Sequence, residues 1–225
     1  MTTRLLHVRI RGWTATFRLP LLYSGTGLSS PVPPYSTLLG MMGCIAGREL
    51  APDVTRIGYI FRSESSAIDL ETTKRFSTTD KGQLVPNTAK GDGIAKRQFL
   101  VNPELDLYLD NLSLRPIFER PANIPTLGRS QDLCWIESIK EVEAMPVASG
   151  MIRGSLVRFP AEGASGVILL LPDWFDNSDL GYTRETGRLS KYQAVRYEMP
   201  SRNVKCANLY KVTGREEAVF LNNLA

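Results

Sequence analysis

The sequence predicts an α+β protein, and three observations lead to this class. Apolar and polar residues alternate in several short segments, which is the period of half-buried strands. Two other segments, near residues 36–48 and 113–120, are predicted to be helical. Together the segments follow the order strand, helix, strand, strand, helix, strand. This order is typical of a mixed sheet with helices packed against it.

The first strand is predicted at Leu6 to Ile10, where apolar residues alternate with His7, Arg9 and Arg11. One face of this strand should therefore be apolar and the other basic. Related patterns predict further strands at Ile57 to Leu70, Phe99 to Leu109 and Trp135 to Val142. The run from Val167 to Leu171 is predicted to be a buried strand.

The first helix is predicted to begin at Ser36, as its N-cap, and to end near Arg48, after the long connection Leu21 to Pro34. Its core-facing stripe consists of Leu38, Met41, Met42 and Ile45. Another face carries Gly40, Gly43 and Gly47. Because each interior glycine costs about 1 kcal/mol relative to alanine, we expect a second backbone to approach this face. That backbone belongs either to the protein's own sheet, which is the commoner case, or to a bound partner.

The second helix is predicted at Ser113 to Arg120, where Pro116 is tolerated because it falls in the first turn. With this helix, residues 1–147 have the βαββαβ order of a ferredoxin-like domain. Residues 148–225 are expected to form a small β-rich C-terminal region. Many functions share this fold, so the order of elements alone does not predict one.

An insert between the second and third strands, Thr72 to Lys96, contains few large aliphatic residues and more basic than acidic ones. An insert of this length in a compact domain is usually functional or disordered. Basic side chains neutralise phosphates, and glycines such as Gly82 and Gly91 let a backbone approach a nucleic acid. The insert therefore indicates RNA binding, and the alternative is a solvated loop whose charges only keep it soluble.

Composition excludes several functional classes. The formal charge of +4 modestly favours an anionic partner. Cys44, Cys134 and Cys206 are scattered and odd in number, so we expect neither disulfides nor a zinc site. We expect no cofactor, no membrane span and a location in the reducing cytoplasm. His7 is the single histidine, and a structural role is favoured over catalysis.

Three segments, taken together, resemble a known family. They are Pro33 to Gly43 (PPYSTLLGMMG), Arg97 to Leu109 (RQFLVNP leading to LYL) and Pro125 to Ser130 (PTLGRS). In this order they resemble the characteristic stretches of the CRISPR-associated Cas-five family, in the RAMP superfamily. The resemblance implies an RRM-related, ferredoxin-like domain whose insert forms a long β-hairpin thumb, followed by a smaller β-sheet region.

The resemblance also implies a function: a non-catalytic subunit of a type I Cascade complex, of the I-B kind by its Pro-rich connection. Such a subunit binds the 5′ handle of the crRNA, caps the filament of backbone subunits, contacts the large subunit and meets target DNA only indirectly. The RNA-binding residues would be Tyr35, Ser36, Lys74, Arg75, Lys90, Lys96, Arg97 and Arg129. For Arg129, a salt bridge that fixes its turn is an equal alternative.

Two other functions stay open on the sequence. One branch of the family cleaves pre-crRNA without metal, using a tyrosine, a lysine and a histidine near the second strand and thumb. No histidine lies there in this sequence, which disfavours a metal-independent endoribonuclease, although Tyr35 and Lys74 are candidates for its roles. The third hypothesis is a solitary RRM-like RNA-binding module, which would bind RNA as a monomer.

Overall fold

The computed structural model describes residues 2–19, 26–87, 89–177 and 185–225, and strands predominate in it. Residues 20–25, in the predicted connection before the first helix, lie outside the described part. The helices are α1 (Tyr35–Ala46), the 3-10 turn Leu112–Leu114 and α2 (Arg115–Glu119). The strands are β1 (Thr3–Gly12), β2 (Thr14–Ala15), β3 (Thr26–Gly27), β4 (Ile57–Arg62), β5 (Ser65–Thr73), β6 (Phe76–Thr78), β7 (Leu84–Pro86), β8 (Gly93–Val101), β9 (Glu104–Leu109), β10 (Cys134–Pro146), β11 (Gly150–Ile152), β12 (Ser155–Arg158), β13 (Val167–Pro172), β14 (Phe175–Asp176), β15 (Glu185–Thr186), β16 (Leu189–Val195), β17 (Ser201–Val204), β18 (Leu209–Val212) and β19 (Ala218–Phe220).

The main sheet has six strands in the order β19, β18, β10, β1, β9, β4. Each pair for which a register is defined is antiparallel. The sheet curls until its two ends meet, because Ile57 in β4 and Asn222 after β19 exchange two backbone hydrogen bonds of 2.9 Å. Strands β1 and β4, before and after α1, and strands β9 and β10, before and after α2, thus lie in one curved sheet, with one strand between the members of each pair.

The two faces of the main sheet are both buried over much of their area. Leu6, Val8 and Ile10 lie on the face that packs against α1, as the alternation in β1 predicts. The opposite face forms a second apolar cluster that includes Leu5 and Tyr108. This second face is therefore not simply basic, because the curl of the sheet encloses part of it.

Helix α1 confirms the predicted core stripe but not the predicted cap. All four residues of the stripe are buried. Pro34 occupies the N-cap position, and no side chain caps the helix there, so Ser36 lies inside the first turn instead. The helix ends at Ala46, earlier than predicted, because Gly47 adopts a left-handed conformation with φ of 66°.

The glycine face of α1 is explained within the protein at two of its three positions. A Cβ at Gly43 would lie 3.2 Å from the carbonyl oxygen of Arg48, and one at Gly47 would lie 2.8 Å from the Ala122 side chain. A Cβ at Gly40 would meet nothing within 4 Å. Gly40 therefore faces open space, beside the start of the helix.

The predicted strands at 57–70 and 99–109 are each two strands. The first breaks between Arg62 and Ser65, and the second breaks at Asn102, which has a positive φ of 48°. These breaks separate β4 and β9, in the main sheet, from β5 and β8. The latter two form a hairpin that carries the predicted insert at its end.

The C-terminal part is β-rich, as predicted, but it does not stand apart from the main sheet. Strand β18 pairs with β10 over Ala144 to Pro146, and β19 pairs with β18. The predicted buried strand at 167–171 forms as β13, but only one face of it is covered: Leu171 is buried, whereas Ile168 and Leu170 are 54% and 55% exposed. In the described part of the chain, no helix combines the length and apolar character that crossing a membrane requires.

Candidate nucleic-acid interface

A long hairpin leaves the body of the protein at Ser65 and returns at Val101. Strands β5 and β8 pair in register from Ser65 with Val101 to Thr73 with Gly93. Nine residue pairs at 3.4 Å per residue give a ribbon about 30 Å long. Beyond it, β6 and β7 pair as a smaller hairpin at the distal end. The predicted insert is therefore an ordered two-stranded ribbon, and its base lies seven residues before Thr72.

Three predicted RNA contacts lie together at the distal part of the long hairpin. Lys74, Arg75 and Lys90 are all exposed. The guanidinium of Arg75 donates to the carbonyl oxygen of Lys90 at 3.1 Å, which holds these two residues together. Lys74 forms an ion pair with Asp92, and its side chain stays 66% exposed. Because the pair is exposed, water and a competing phosphate both have access to the lysine.

One face of the long hairpin combines a basic residue with aliphatic ones. Lys96 is exposed and stands opposite Leu70 in the register. Ile68, Leu70 and Ile94 are 63%, 64% and 73% exposed on this same face. These aliphatic residues were not predicted from the sequence as part of the surface. The alternation of Ile68 and Leu70 with Asp69 and Glu71 in β5 could have predicted an aliphatic strip along one face of the hairpin.

The other face of the hairpin carries Glu71, which holds two arginines. Arg97 Nε donates to Glu71 Oε2 at 2.9 Å, and Arg129 Nη1 donates to Glu71 Oε1 at 2.7 Å. Burial raises the pKa of Glu71, but the hydrogen bonds from Arg129 and Arg97 outweigh it and keep the pKa below its usual value. The glutamate therefore stays ionised and ties β5, near its distal end, to the turn that follows residue 127.

Arg129 lies in a conspicuous turn, and the structure supplies the salt bridges of the alternative interpretation, while its contact with a phosphate stays a prediction. Its side chain is 7% exposed and also donates to Asp132, whose side chain is fully buried. The guanidinium also lies 5.8 Å from the centre of the Phe99 ring. With its donors directed at two carboxylates, Arg129 fixes the turn, which is the alternative considered above. Arg97 is similarly engaged by Glu71 and is 17% exposed, in the middle of the β5–β8 ribbon.

Tyr35 does not present its side chain to a ligand. The residue is 1% exposed, and its hydroxyl donates to the carbonyl oxygen of Leu156 at 2.9 Å. Its ring packs against those of Tyr59 and Tyr192. Burial raises the pKa of Tyr35 well above its ordinary value. The tyrosine therefore anchors the start of α1 in the core, where its hydroxyl is engaged by the protein itself, and its predicted contact with RNA stays a prediction.

Ser36 lies in a cleft of about 580 Å³ at the start of α1, which we call the helix cleft. Its wall also contains Gly40 and the backbone of the turn at Gly128. Arg18, exposed beside it, supplies a positive charge that was not predicted from the sequence. Gly128 is required here, since it has φ of 120° and a Cβ would lie 1.9 Å from the carbonyl oxygen of Thr16. The first and third family-like segments thus meet in one place.

The arginines of β1 lie on the outer side of the sheet, where carboxylates neutralise them. Arg9 and Arg11 both pair with Glu104 and with Glu137, at distances between 2.7 and 3.3 Å. Arg62 joins the same cluster through Glu104. Because these arginines are engaged, the predicted basic face of β1 is a weaker candidate for RNA than the long hairpin.

His7 has a structural environment, as expected. It is 3% exposed, its ring stacks on Tyr108, and its Nε2 lies 2.7 Å from Asp106 Oδ1. Arg215 binds the other oxygen of Asp106 at 2.7 Å. Burial raises the pKa of Asp106, but the hydrogen bond from His7 and the charge of Arg215 lower it to about 2. This cluster joins β1 and β9 to the turn between β18 and β19.

Comparison with known proteins supports a CRISPR association. A family model described as "CRISPR-associated protein (Cas_Cas5)" matches residues 5–88. No curated protein sequence matches the chain. A solved structure described as "CRISPR RNA-guided surveillance complex" shares the fold with a TM-score of 0.57 and 14% identity, over 89% of this chain and 91% of that one.

Two other solved structures are more distant. A CRISPR protein from Archaeoglobus fulgidus has a TM-score of 0.48 and 12% identity, over 98% of this chain and 99% of that chain. A Type III-B Cmr-beta complex bound to cognate target RNA contains a chain with a TM-score of 0.48 and 12% identity, over 90% of this chain and 86% of that one. Over residues 5–88 the chain thus resembles the CRISPR-associated Cas5 family, and it shares its fold with the chain of the surveillance complex.

Proposed function

We propose that this chain is a subunit of a CRISPR effector complex of the type I Cascade kind and that it binds the 5′ handle of the crRNA. The observation that carries this proposal is the long hairpin. Its β5–β8 ribbon is about 30 Å long, and Lys74, Arg75, Lys90 and Lys96 are exposed on its distal half and beyond. A cationic ribbon of this kind suits a sugar-phosphate backbone, since phosphate neutralisation supplies most of the affinity for nucleic acid.

The helix cleft is the second part of the proposed RNA site. It opens beside the first turn of α1, whose N-terminus has no capping side chain. Free N–H groups at a helix start favour an anion, and Arg18 adds a charge next to them. In this proposal the hairpin and the cleft bind different nucleotides of the same RNA segment.

The fold and the family support the remaining parts of the proposal. The sheet order β10, β1, β9, β4, with α1 and α2 as the connections, supports our proposal of a ferredoxin-like, RRM-related unit in which the long hairpin would be the thumb. As in other family members, the chain would cap the filament of backbone subunits and contact the large subunit. The chain would contact target DNA only indirectly, through other parts of the complex. The I-B subtype stays a prediction from the Pro-rich connection.

We further propose that this subunit does not cleave RNA. The alternative, a metal-independent endoribonuclease, needs a general base or acid at the scissile phosphate. Tyr35 is buried in the core with its hydroxyl bonded to Leu156, and His7 is buried beside Asp106. Lys74, the third candidate, lies on the exposed hairpin. These three side chains therefore lack the shared, accessible arrangement that such a reaction needs.

Two measurements test the proposed function. RNA that copurifies with a tagged chain, expressed together with its CRISPR locus, should share one repeat-derived 5′ segment when sequenced. RNA of random sequence, or no RNA, would contradict handle binding. Incubation of the purified chain with labelled repeat RNA in EDTA should leave the RNA intact. Cleavage at one position that Lys74→Ala abolishes would instead favour the endoribonuclease.

A further inference from the structure

Strand β10 has a free edge. It is 13 residues long, but only its last three residues pair with β18. At its start the N–H of Cys134 donates to the carbonyl oxygen of Pro125 at 3.0 Å, and near its end the carbonyl of Glu143 accepts from Thr213 at 2.9 Å. Among the residues that the structure describes, no strand pairs with this side of β10 over 135–142.

The backbone groups on this free edge can be assigned by alternation. Successive residues of a strand direct their N–H and C=O groups to opposite sides. Cys134 and Glu143 both form hydrogen bonds on the side away from β1. By alternation, the backbone N–H and C=O groups of Ile136, Ile139 and Glu141 face that same side. The residues that face away from β1 have even numbers up to Ile136 and odd numbers from Ile139 onward. This change occurs at a register shift, where Ile136 and Ser138 lie opposite two consecutive residues of β1. Three residues therefore present unpaired donors and acceptors.

An apolar groove of about 810 Å³ runs beside the free edge, between β10, α2 and residues 121–125. Ile136 and Ile139 form part of its floor, where they pack against the main core. Ile124 and Trp135 border it and are 70% and 41% exposed. Side chains on alternate positions of an added strand would point into this groove, which is the usual source of specificity in strand addition.

The charges around the free edge are mostly paired. Arg115 pairs with Glu119, which lines the groove, and Arg4 pairs with Glu141 on β10. Within the described ranges Glu143 has no ion pair, so it can accept a basic side chain of a partner. The backbone donors and acceptors along the edge match those of an extended polypeptide, so the partner is a polypeptide rather than a nucleic acid.

We propose that the free edge of β10 binds an extended segment of a partner protein, which adds to the sheet as a strand. The partner segment would place aliphatic side chains in the groove and basic side chains against Glu141 and Glu143. Long free edges with apolar surroundings are usually protected in natural proteins, and a partner strand would provide that protection. This proposal rests on β10 and its groove alone, so it stands or fails independently of RNA binding by the hairpin.

A synthetic peptide provides the first test. A fluorescent nonapeptide of alternating lysine and valine should bind the full chain with saturable anisotropy. A version N-methylated at alternate residues, which loses one hydrogen-bonding edge, should bind at least about tenfold more weakly, as should a version with glutamate for lysine. Equal binding of all three peptides, or no saturable binding below about 1 mM, would overturn the proposal.

A matched pair of variants tests the location. Glu141→Pro removes an edge N–H without removing a bond to β1, and proline is tolerated at edge positions. Glu141→Ala is the control, because it removes the same side chain but keeps the N–H. Glu141→Pro should bind the lysine–valine peptide about tenfold more weakly than Glu141→Ala. Equal affinities of the two variants would overturn the proposal.

Amide hydrogen exchange of the unaltered chain gives a readout that does not depend on the folding of a variant. The peptide should slow exchange at Ile136, Ile139 and Glu141, and leave Ser138 and Lys140 unchanged because their amides already bond to β1. Protection at β13 instead would contradict the assignment to β10. Sedimentation that shows a dimer, lost in Glu141→Pro, would show that a second copy of this chain occupies the edge and would overturn the partner segment.

Discussion

Arg129 Nη1 donates to Glu71 Oε1 at 2.7 Å and thereby joins β5, near its distal end, to the turn at Gly128. The same guanidinium bonds to the buried Asp132, and Arg97 binds the other oxygen of Glu71. The distal part of the hairpin needs a fixed support if its charges are to meet RNA in one orientation. The ion pairs at Glu71 provide that support, and they join residues far apart in the sequence.

Arg129→Ala should destabilise the protein by about 3 kcal/mol, because it leaves Asp132 buried and without its cation. The midpoint of urea unfolding, with the m-value, measures this change. Lys74→Ala is the control, since its ion pair with Asp92 is exposed and should contribute less than about 1 kcal/mol. Similar losses of stability in the two variants would contradict the role assigned to Arg129.

The exposed charges of the hairpin should determine the salt dependence of RNA binding. In the double variant Lys74→Ala with Lys90→Ala, the slope of log affinity against log salt should fall by about 0.7 for each phosphate that is no longer neutralised. Arg97→Ala is the comparison, because Arg97 is engaged by Glu71 and should not contribute directly to the slope. A slope unchanged in the double variant would show that these lysines do not touch RNA.

Gly40→Ala should stabilise the protein by about 1 kcal/mol, because helix propensity improves and the added Cβ meets nothing within 4 Å. Gly128→Ala should have the opposite effect, since its Cβ would lie 1.9 Å from the Thr16 carbonyl oxygen. Thermal unfolding distinguishes the two.

Because Gly40 lines the helix cleft, Gly40→Leu should weaken RNA binding without loss of stability. Unchanged affinity would exclude the cleft from the RNA site.

Asp106 should make stability depend on pH in the acid range. Its pKa in the folded protein is lowered to about 2, from an unfolded value of about 3.9. The stabilisation from the ionised carboxylate is therefore complete above about pH 4 and is lost as pH falls toward 2. The difference in unfolding free energy between the wild type and Asp106→Asn should shrink by about 2 kcal/mol over that interval. A constant difference would contradict the lowered pKa.

The sequence predicted what depends on local pattern. Alternation indicated β1, helical spacing indicated the buried stripe of α1, and the basic insert between strands proved to be a projecting hairpin. The three family-like segments also predicted the family that the comparison found. These features depend on residues close together in the chain, and periodicity reports them directly.

The sequence could not show contacts between residues that lie far apart in the chain. Tyr35 and Arg129 have the residue types of an RNA site, but Leu156 and Glu71 engage them, and only tertiary structure brings these partners near. Val167 to Leu171 has the composition of a buried strand, whereas only Leu169 and Leu171 face the core in the folded protein. The pairing of β18 with β10 likewise has no local signal in the sequence.

Ultraviolet cross-linking of the full chain to RNA that carries the 5′ handle, read out by peptide mass spectrometry, tests the central claim most directly. We expect cross-links within residues 72–96 and at the helix cleft, with loss of the hairpin cross-links in the Lys74→Ala, Lys90→Ala double variant. Cross-links confined to other parts of the chain, with the hairpin unmodified, would contradict the claim that the hairpin holds the RNA.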